Sequence, residues 1–416
     1  MDPAALVKEI TKDMREYAGA MPTDDDETVF AAIEEHVLRR SEASRLSARE
    51  KANIVDTVFY RIRKDLSVLQ PLAEDRDVSE IMVNGKDCVF VEKNGRVRET
   101  DVRFESTEEL EELIRRIASG VHREINEMNP ILDARLEDGS RVNAVYRNVA
   151  LNGPILTIRK FPENRITMDD LLSFGTITAE AAEFLRTLVE CAYNIFISGG
   201  TSSGKTTFLN VLSNYIPADE RIIVIEDSAE LQITAIRNLV RLECRNANVQ
   251  GKGEVSMRQL IKSSLRMRPN RIIVGEVRGE EVLDMIQAMN TGHDGSLSTG
   301  HGNSTKGMIC RLEAMYLQAA DFPAEAIRRQ ISEAIEIMVH LGKSADGRRR
   351  VLEICEVTGM AGGEIELSTL FKYEAGQGLV SAGVAMKNDM KLKMNGRRGH
   401  TPLAEPPFQK TFERRR

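Results

Sequence analysis

The chain has 416 residues, more than one ordinary hydrophobic core requires, so we expect two domains with extensions. Its apolar share of 42% is typical of a soluble globular protein, and its net charge of −7 does not indicate a nucleic-acid-binding protein. The apolar runs are far shorter than the roughly 20 residues that span a bilayer, and the first residues do not resemble a secretory signal, so we expect a cytoplasmic protein.

The five cysteines are scattered along the chain, and no two of them form a CxxC pair. Their spacing fits neither a zinc site nor a disulfide framework. We therefore expect reduced thiols, most of them in the core.

The first part of the chain predicts two segments. Residues 1–51 are expected to form a helical extension, interrupted near Pro22, and residues 52–160 a smaller α+β domain. In that domain an amphipathic helix is predicted at 52–69, and Ser106 with Glu109 predicts a capping box at the start of a second helix. Strands are expected at 80–84, 88–92, 131–136, 141–146 and 155–160, and Asn94-Gly95 predicts a hairpin turn. A polar linker containing proline is expected at 161–166.

Residues 167–375 alternate between amphipathic helices and strands that are apolar without alternation. This pattern predicts a parallel sheet covered on both faces, and hence an α/β fold with a RecA-like P-loop ATPase domain. The expected strands are 194–198, 221–226, 271–274, 296–299, 351–357 and 364–373, and the expected helices are 179–191, 205–215, 256–267, 280–290, 305–318 and 324–335. Residues 376–416, rich in Lys and Arg, are expected to form a flexible basic tail.

A glycine-rich segment between an apolar strand and a helix fits the P-loop pattern, in which backbone N–H groups cradle phosphates. We expect its Lys to reach the β- and γ-phosphates of ATP and the following Thr to bind Mg²⁺. The residues expected to hold the nucleotide are Gly199, Gly200, Thr201, Ser202, Ser203, Gly204, Lys205, Thr206 and Thr207.

Three carboxylates follow predicted strands of the same domain. Glu226 and Glu230 come after one strand, and Glu276 ends another, with Gly275 at the position where an Asp is often found. A carboxylate at the carboxyl edge of the sheet can orient or deprotonate the attacking water, or hold Mg²⁺ through its waters. The sequence does not decide between them, so Thr206, Glu226 and Glu276 are all candidate magnesium ligands.

Two of the six histidines, His293 and His301, flank a short predicted strand. Because His301 ends that strand, we expect its ring to donate a hydrogen bond to a γ-phosphate, with His293 as the alternative for the same role.

Four strings in this order, GGTSSGKTT, IEDSAEL, LRMRPNRIIVGEVRGEE and NTGHDGSLSTGHGNS, resemble the Walker A, Asp-box, Walker B and His-box motifs of the type II/type IV secretion ATPases. The branch they resemble most is the CpaF-like ATPases of Flp (tight-adherence, Tad) pili. The resemblance implies a homohexamer that hydrolyses ATP with Mg²⁺ at the cytoplasmic face of the inner membrane, where platform proteins are its partners and no nucleic acid is expected. It also implies that arginines of the N-terminal domain meet the phosphates, and Arg141 and Arg159 match, Arg135 less clearly. The chain lacks the tetracysteine zinc insert of many type II members, which favours the Tad or conjugation-type branch.

Other functions fit parts of this pattern. A GTPase should carry an NKxD motif, which is absent after the P-loop, and a P-loop kinase would need an acceptor pocket. A nucleotide-gated scaffold with little turnover and an ATPase of a conjugation-like type IV system remain alternatives. A nucleic-acid motor is weaker, because no basic groove with interleaved aromatic residues is present in the sequence.

Overall fold

The structure, a computed structural model, describes residues 3–20, 25–40, 46–93, 95–161, 166–245, 247, 252–344 and 346–397, without the side chains of residues 3–5 and 16–20. The chain divides into two compact units, Met1–Asn164 and Arg165–Arg416. Of the joint predicted at 161–166, only the two end residues are described. None of the described helices is both long and apolar enough to cross a membrane.

Three helices begin the first unit: α1 (Pro3–Ala20), α2 (Asp26–Arg39) and α3 (Ala48–Arg63). They pack around a small apolar core that includes Ile10, Ile33 and Val58. The helix predicted at 52–69 begins earlier because Ser47 and Glu50 form a capping box, which the sequence analysis overlooked. It also ends earlier, and a short 3₁₀ turn (Ser67–Leu69) and α4 (Gln70–Glu74) follow it.

The rest of the first unit is an antiparallel sheet with α5 (Thr107–Gly120) packed against it. Its order is β3-β2-β1-β6-β5-β4, with strands β1 (Val78–Asn84), β2 (Val89–Lys93), β3 (Arg96–Glu99), β4 (Ile131–Arg135), β5 (Arg141–Val145) and β6 (Ile155–Arg159). The capping box predicted at Ser106 is only half formed. Ser106 accepts from the backbone N–H of Glu109, but the Glu109 carboxylate accepts from the N–H of Glu105 and pairs with Arg61 instead.

The second unit contains a nine-stranded sheet in the order β15-β14-β13-β12-β7-β11-β10-β8-β9. Its strands are β7 (Ile195–Gly199), β8 (Ile222–Glu226), β9 (Leu239–Glu243), β10 (Arg271–Val277), β11 (Leu297–His301), β12 (Ile337–Lys343), β13 (Arg349–Ala361), β14 (Glu364–Glu374) and β15 (Gly378–Ser381). Its helices are α6 (Met168–Ser173), α7 (Ala179–Glu190), α8 (Lys205–Ser213), α9 (Met257–Ser264), α10 (Glu281–Met289), α11 (Thr305–Ala319), α12 (Ala324–Ala334) and α13 (Met390–Met394).

Six neighbouring strands are parallel to one another, in the order β12, β7, β11, β10, β8 and β9. Strands β13, β14 and β15 continue the sheet beyond β12, and each is antiparallel to its neighbours. One apolar core contains side chains of α7 and α8, and a second contains side chains of α9 to α12, so both faces of the sheet are covered. Strands β7 and β8 are buried throughout, as their uninterrupted apolar sequence predicts. The predicted mixed α/β fold class is confirmed.

Several expectations about this unit are wrong. Strands β9, β12 and β15 were not predicted, and residues 376–397 are not a flexible tail. Strand β15 pairs with β14, and Lys391 of α13 donates to the carbonyl of Ala192 at 2.9 Å and forms ion pairs with Glu336 and Asp294. Residues 398–416 lie outside the described part of the chain. The cysteines are also less buried than expected, since only Cys191 and Cys355 of the five are buried.

A buried polar network joins the strand before the P-loop to the start of α11. The ring of His340 on β12 lies 2.8 Å from the hydroxyl of Ser198 through Nδ1 and also donates to the carbonyl of Asn303. Its cross-strand neighbour Glu353 accepts from the hydroxyl of Thr305, the first residue of α11. The neutral imidazole therefore links three elements beneath the candidate site.

Burial lowers the pKa of His340 below its ordinary value of 6.5, although Glu353 opposes the shift. As the pH falls below 6.5, the unfolded chain takes up a proton that the folded chain does not, so stability is lost with falling pH. We expect His340→Gln to reduce this loss by up to about 1.4 kcal/mol per pH unit, because Gln keeps a donor and an acceptor but does not titrate. Calorimetric melting of the wild-type and His340→Gln proteins at pH 7.5 and 5.5 measures the loss of stability between the two pH values. An equal loss in both proteins would contradict the lowered pKa of His340.

Candidate active site

The P-loop joins β7 to α8 and turns through two residues with left-handed backbone. Ser202 has φ +57° and Gly204 has φ +94°, the latter immediately before the first residue of α8. At Gly199 a Cβ atom would lie 2.5 Å from the carbonyl oxygen of Leu341 and 2.5 Å from the Oγ of Ser203, so the strand end admits only glycine. The result is a curled loop that leads into a helix N-terminus, a geometry suited to phosphate.

Lys205 is the first residue of α8, and its side chain is buried against the loop. Its Nζ donates to the carbonyl of Gly200 at 3.1 Å and lies 3.2 Å from Nδ1 of His301. Burial lowers the pKa of Lys205, and the negative charge of Glu276 opposes that shift. The ammonium is thus held where a phosphate bound in the loop would meet it.

The hydroxyl groups of the loop differ in environment. Ser203 is buried, and its Oγ has no hydrogen-bond partner among the described residues. Thr206 and Thr207 are half-buried, whereas Thr201 and Ser202 are exposed.

His301 and Glu276 form the next contact of the site. Nε2 of His301, at the end of β11, lies 2.7 Å from Oε1 of Glu276 on β10, a close ion-pair distance without the alignment of a hydrogen bond. Partial burial lowers the pKa of His301, against the opposing effect of Glu276. Strand β11 pairs with β7 so that His301 stands beside Gly199, which brings the ring to the P-loop.

The remaining oxygen of Glu276 binds an arginine that the sequence analysis did not select. Nη2 of Arg278 lies 2.9 Å from Oε2 of Glu276, and Nη1 lies 3.4 Å from Asp227 of the Asp-box string. The hydrogen bond to Glu276 raises the pKa of Arg278. Consecutive polar contacts therefore connect Lys205, His301, Glu276, Arg278 and Asp227, one or more residues from each of the four motifs.

Glu226 occupies a different environment at the end of β8. Its Oε1 accepts from the backbone N–H groups of Glu230 at 2.7 Å and Leu231 at 2.9 Å, and burial raises its pKa. At Gly275, on the neighbouring strand β10, a Cβ would lie 3.0 Å from Cγ of Glu226. A side chain at this position would crowd that of Glu226, a contact that glycine avoids where an Asp is often found. Glu230 itself is half-buried, and its charge contributes to the raised pKa of Arg278.

His293 does not join the site. It precedes the amino end of β11, whereas the P-loop lies at the carboxyl end of the parallel strand β7. Its Nδ1 lies 3.1 Å from the carbonyl of Ala288 near the end of α10. The expectation that His293 could sense the γ-phosphate is wrong, because it belongs to the opposite edge of the sheet.

Two cavities border the P-loop. The first, of about 380 Å³, is lined by Gly200, Thr201, Arg278, His301, Gly302, Asn303 and Arg311. The second, of about 450 Å³, is lined by Ile166, Leu171, Ser173, Phe174, Thr176, Ser203, Gly204, Thr207, Phe208, Leu341, Arg348 and Arg349. Sequence reasoning missed the lining residues outside the four motifs, because an arginine or phenylalanine on a helix or in a loop has no local signal of its own.

The candidate arginines of the first unit are neighbours in its sheet. Arg141 on β5 stands opposite Arg159 on β6 and opposite Arg135 on β4, so the three occupy one cross-strand row. Arg135 also lies over the ring of Phe161 at 6.0 Å. The structure thus brings these three residues together within their own unit.

Among the described residues, no group of three or more His, Cys, Asp or Glu side chains is arranged to hold a metal ion. The P-loop type of magnesium site does not require one, because a Thr hydroxyl, one carboxylate and the phosphates of the nucleotide supply its ligands. Thr206, which follows Lys205 in α8, and Glu276 fit such a donor set.

Known proteins match most of this chain. A family model described as type II/IV secretion system protein matches residues 63–367. The conjugal transfer protein TrbB of Rhizobium radiobacter is 33% identical over 290 residues, which are 69% of this chain and 85% of TrbB. The type IV secretion system protein PtlH of Bordetella pertussis is 33% identical over 316 residues, covering 70% of this chain and 93% of PtlH.

A solved structure agrees in fold. The ATPase DotB of Yersinia pseudotuberculosis superimposes with a TM-score of 0.50 at 19% identity and covers 70% of this chain and 78% of its own. At that identity the likeness supports the fold alone. From the family match and the two relatives, the chain belongs to the type II/IV secretion system protein family.

Proposed function

We propose that this chain hydrolyses ATP and uses the energy to drive a secretion or pilus-assembly machine. The observation that carries the proposal is the position of Lys205, buried at the start of α8 and connected to Glu276 through His301. A P-loop cation that stabilises the transferring phosphoryl group and a carboxylate that positions the attacking water are two of the groups that ATP hydrolysis uses.

The nucleotide would lie along the P-loop between the two cavities. The N–H groups of Gly199–Thr207 would cradle the phosphates, and Lys205 would move from the Gly200 carbonyl to the β- and γ-phosphates. The first cavity, beside His301, is the place for the γ-phosphate, and the second, lined by Phe174 and Phe208, offers apolar surface to the base. Thr206 and a carboxylate would hold Mg²⁺, which neutralises phosphate charge when bound.

We assign Glu276, rather than Glu226 or Glu230, to the attacking water. Glu226 is already committed to two backbone N–H groups of the loop that follows it. Glu276 lies against His301, which lines the first cavity. In this assignment water attacks the γ-phosphorus, its proton passes to the Glu276 carboxylate, and the bond to the β–γ bridging oxygen breaks to release ADP.

The arginine row of the first unit is proposed to meet the phosphates when nucleotide binds, as the family resemblance implies. Arg135, Arg141 and Arg159 lie opposite one another on neighbouring strands, so an anion bound beside this row would meet several guanidinium groups. Guanidinium groups suit this role because their planar donors match phosphate oxygens.

For the pathway, we propose Flp/Tad pilus assembly at the inner face of the cytoplasmic membrane, with platform proteins as partners. The specific string matches support it, and the absence of a tetracysteine insert favours the Tad or conjugation-type branch over many type II members. The second candidate is a conjugation-like type IV system, which the 33% identity to TrbB and PtlH favours. A nucleotide-gated scaffold is less well supported, because it does not need a carboxylate beside the first cavity.

Lys205→Ala should abolish ATP hydrolysis, lowering kcat by at least about 10²-fold, because it removes the cation that stabilises the transferring phosphoryl group. Release of phosphate from the purified full chain, with no acceptor added, is the measurement. Lys372→Ala, at an exposed position of β14, is the matched control and should retain the wild-type rate. Undiminished hydrolysis in Lys205→Ala would overturn the proposal.

Glu276→Gln should lower kcat by about 10²–10⁴-fold while ATP still binds, because the amide fills the same space but does not accept the proton of the water. Glu230→Gln should have a much smaller effect. Single-turnover kinetics with Mg²⁺ present, together with nucleotide affinity, separate chemistry from binding. Equal losses in the two variants, or a larger one in Glu230→Gln, would contradict the assignment to Glu276.

The protein should form a ring of six copies with an ATP analogue and Mg²⁺, as the family resemblance implies. Light scattering coupled to size exclusion should then give six times the chain mass of 46.5 kDa. The Lys205→Ala variant should require more nucleotide to reach that mass. A particle that stays monomeric at all nucleotide concentrations would refute the ring.

A further inference from the structure

Among the described residues, the cationic lining of the first cavity contains one side chain, that of Arg311, without a protein partner. Arg311 lies on α11, and within the part of the chain that the structure describes its guanidinium makes no hydrogen bond, ion pair or ring contact. The other two cations of the site are engaged, Lys205 by Gly200 and His301 and Arg278 by Glu276 and Asp227. Five N–H donors of Arg311 therefore remain for a ligand.

Close packing fixes the position of the helix that carries Arg311. Met308, three residues earlier on α11, packs against the end of β11, where a Cβ at Gly300 would lie 2.8 Å from Cε of Met308 and a Cβ at Gly302 would lie 3.0 Å from its Cβ. Residues three apart share a face of a helix. Ser304 caps α11 by accepting from the N–H of Gly307 at 2.9 Å, which sets where the helix begins. The backbone of Arg311 is thus held beside the first cavity, and its exposed side chain lines that cavity.

The positive charge of the cavity lining favours an anionic ligand. Arg311 and Arg278 both line it, and the positive charge of each lowers the pKa of His301. Glu276 and Asp227 are the described carboxylates that pair with Arg278, and neither pairs with Arg311. One positive charge therefore remains uncompensated beside His301.

We propose that Arg311 binds the terminal phosphate of the nucleoside triphosphate and so lets the protein distinguish ATP from ADP. This inference rests on the proposed function. In both nucleotides the loop would hold the α- and β-phosphates, and in ATP Lys205 would also reach the γ-phosphate. Arg311 lines the first cavity with His301 and Arg278, where the γ-phosphate is proposed to lie, so it would meet the phosphate that ADP lacks.

The test compares the affinities of ADP and a non-hydrolysable ATP analogue for the full chain, measured by calorimetry with Mg²⁺. Arg311→Ala should weaken binding of the analogue by about 10-fold or more, the usual effect of losing a charge-assisted hydrogen bond, and change ADP affinity by less than about 2-fold. The affinity of Arg311→Lys for the analogue should lie between those of the wild-type and Arg311→Ala proteins, because Lys keeps the charge but lacks the planar guanidinium.

Two controls make the result specific. Phe174→Ala, in the second cavity, should weaken both nucleotides alike, since both carry the base. Arg329→Ala, at an exposed arginine of α12 paired with Glu325, should weaken neither. An equal effect of Arg311→Ala on both nucleotides, or no effect on either, would overturn the inference. If the wild-type chain bound neither nucleotide, the proposed function itself would fail.

Discussion

The candidate site is organised around one buried cation, the ammonium of Lys205. A buried charge is costly unless acceptors surround it, and burial lowers the pKa of this group. The carbonyl of Gly200 and Nδ1 of His301 supply two acceptors. If Nδ1 accepts from the ammonium, Nε2 carries the ring proton and faces Glu276. The imidazole therefore couples the cation to the carboxylate without direct contact between them, which leaves Lys205 able to turn toward a phosphate.

The order of the strands explains the order of these contacts. Strands β7, β11, β10 and β8 are neighbours in that sequence and parallel, so their carboxyl ends meet at one edge. Gly199, His301, Glu276 and Glu226 stand at those ends. Because β11 lies between β7 and β10, His301 comes between Lys205 and Glu276, and Glu226 is the farthest from the P-loop. Sequence separation alone would suggest that Glu226 is nearer to the P-loop than Glu276, since Glu226 follows the P-loop much sooner along the chain.

What the sequence predicted and what it missed follow from the range of the interactions. The P-loop and the central strands depend on local patterns, and both were predicted correctly as elements. Strand β12 begins with the buried, mostly apolar run 337–341, a local signal that the sequence analysis overlooked. Strand β9 is a half-exposed edge strand, so its local signal is weak. The order of strands was likewise not predictable, and with it the choice between Glu226 and Glu276. Arg278 and Arg311 become recognisable only when the cavity that they line is known.

Glu226 still contributes to the site, through the loop that follows β8. Its carboxylate holds the N–H groups of Glu230 and Leu231, which fixes the turn that begins at Asp227. Asp227 binds one nitrogen of Arg278, and the other nitrogen binds Glu276. Exposed ion pairs of this kind are individually weak, so the orientation of Arg278 depends on how firmly the Asp227 loop is held. A buried carboxylate that holds its own loop can in this way determine the position of Glu276, the carboxylate proposed to act on the attacking water.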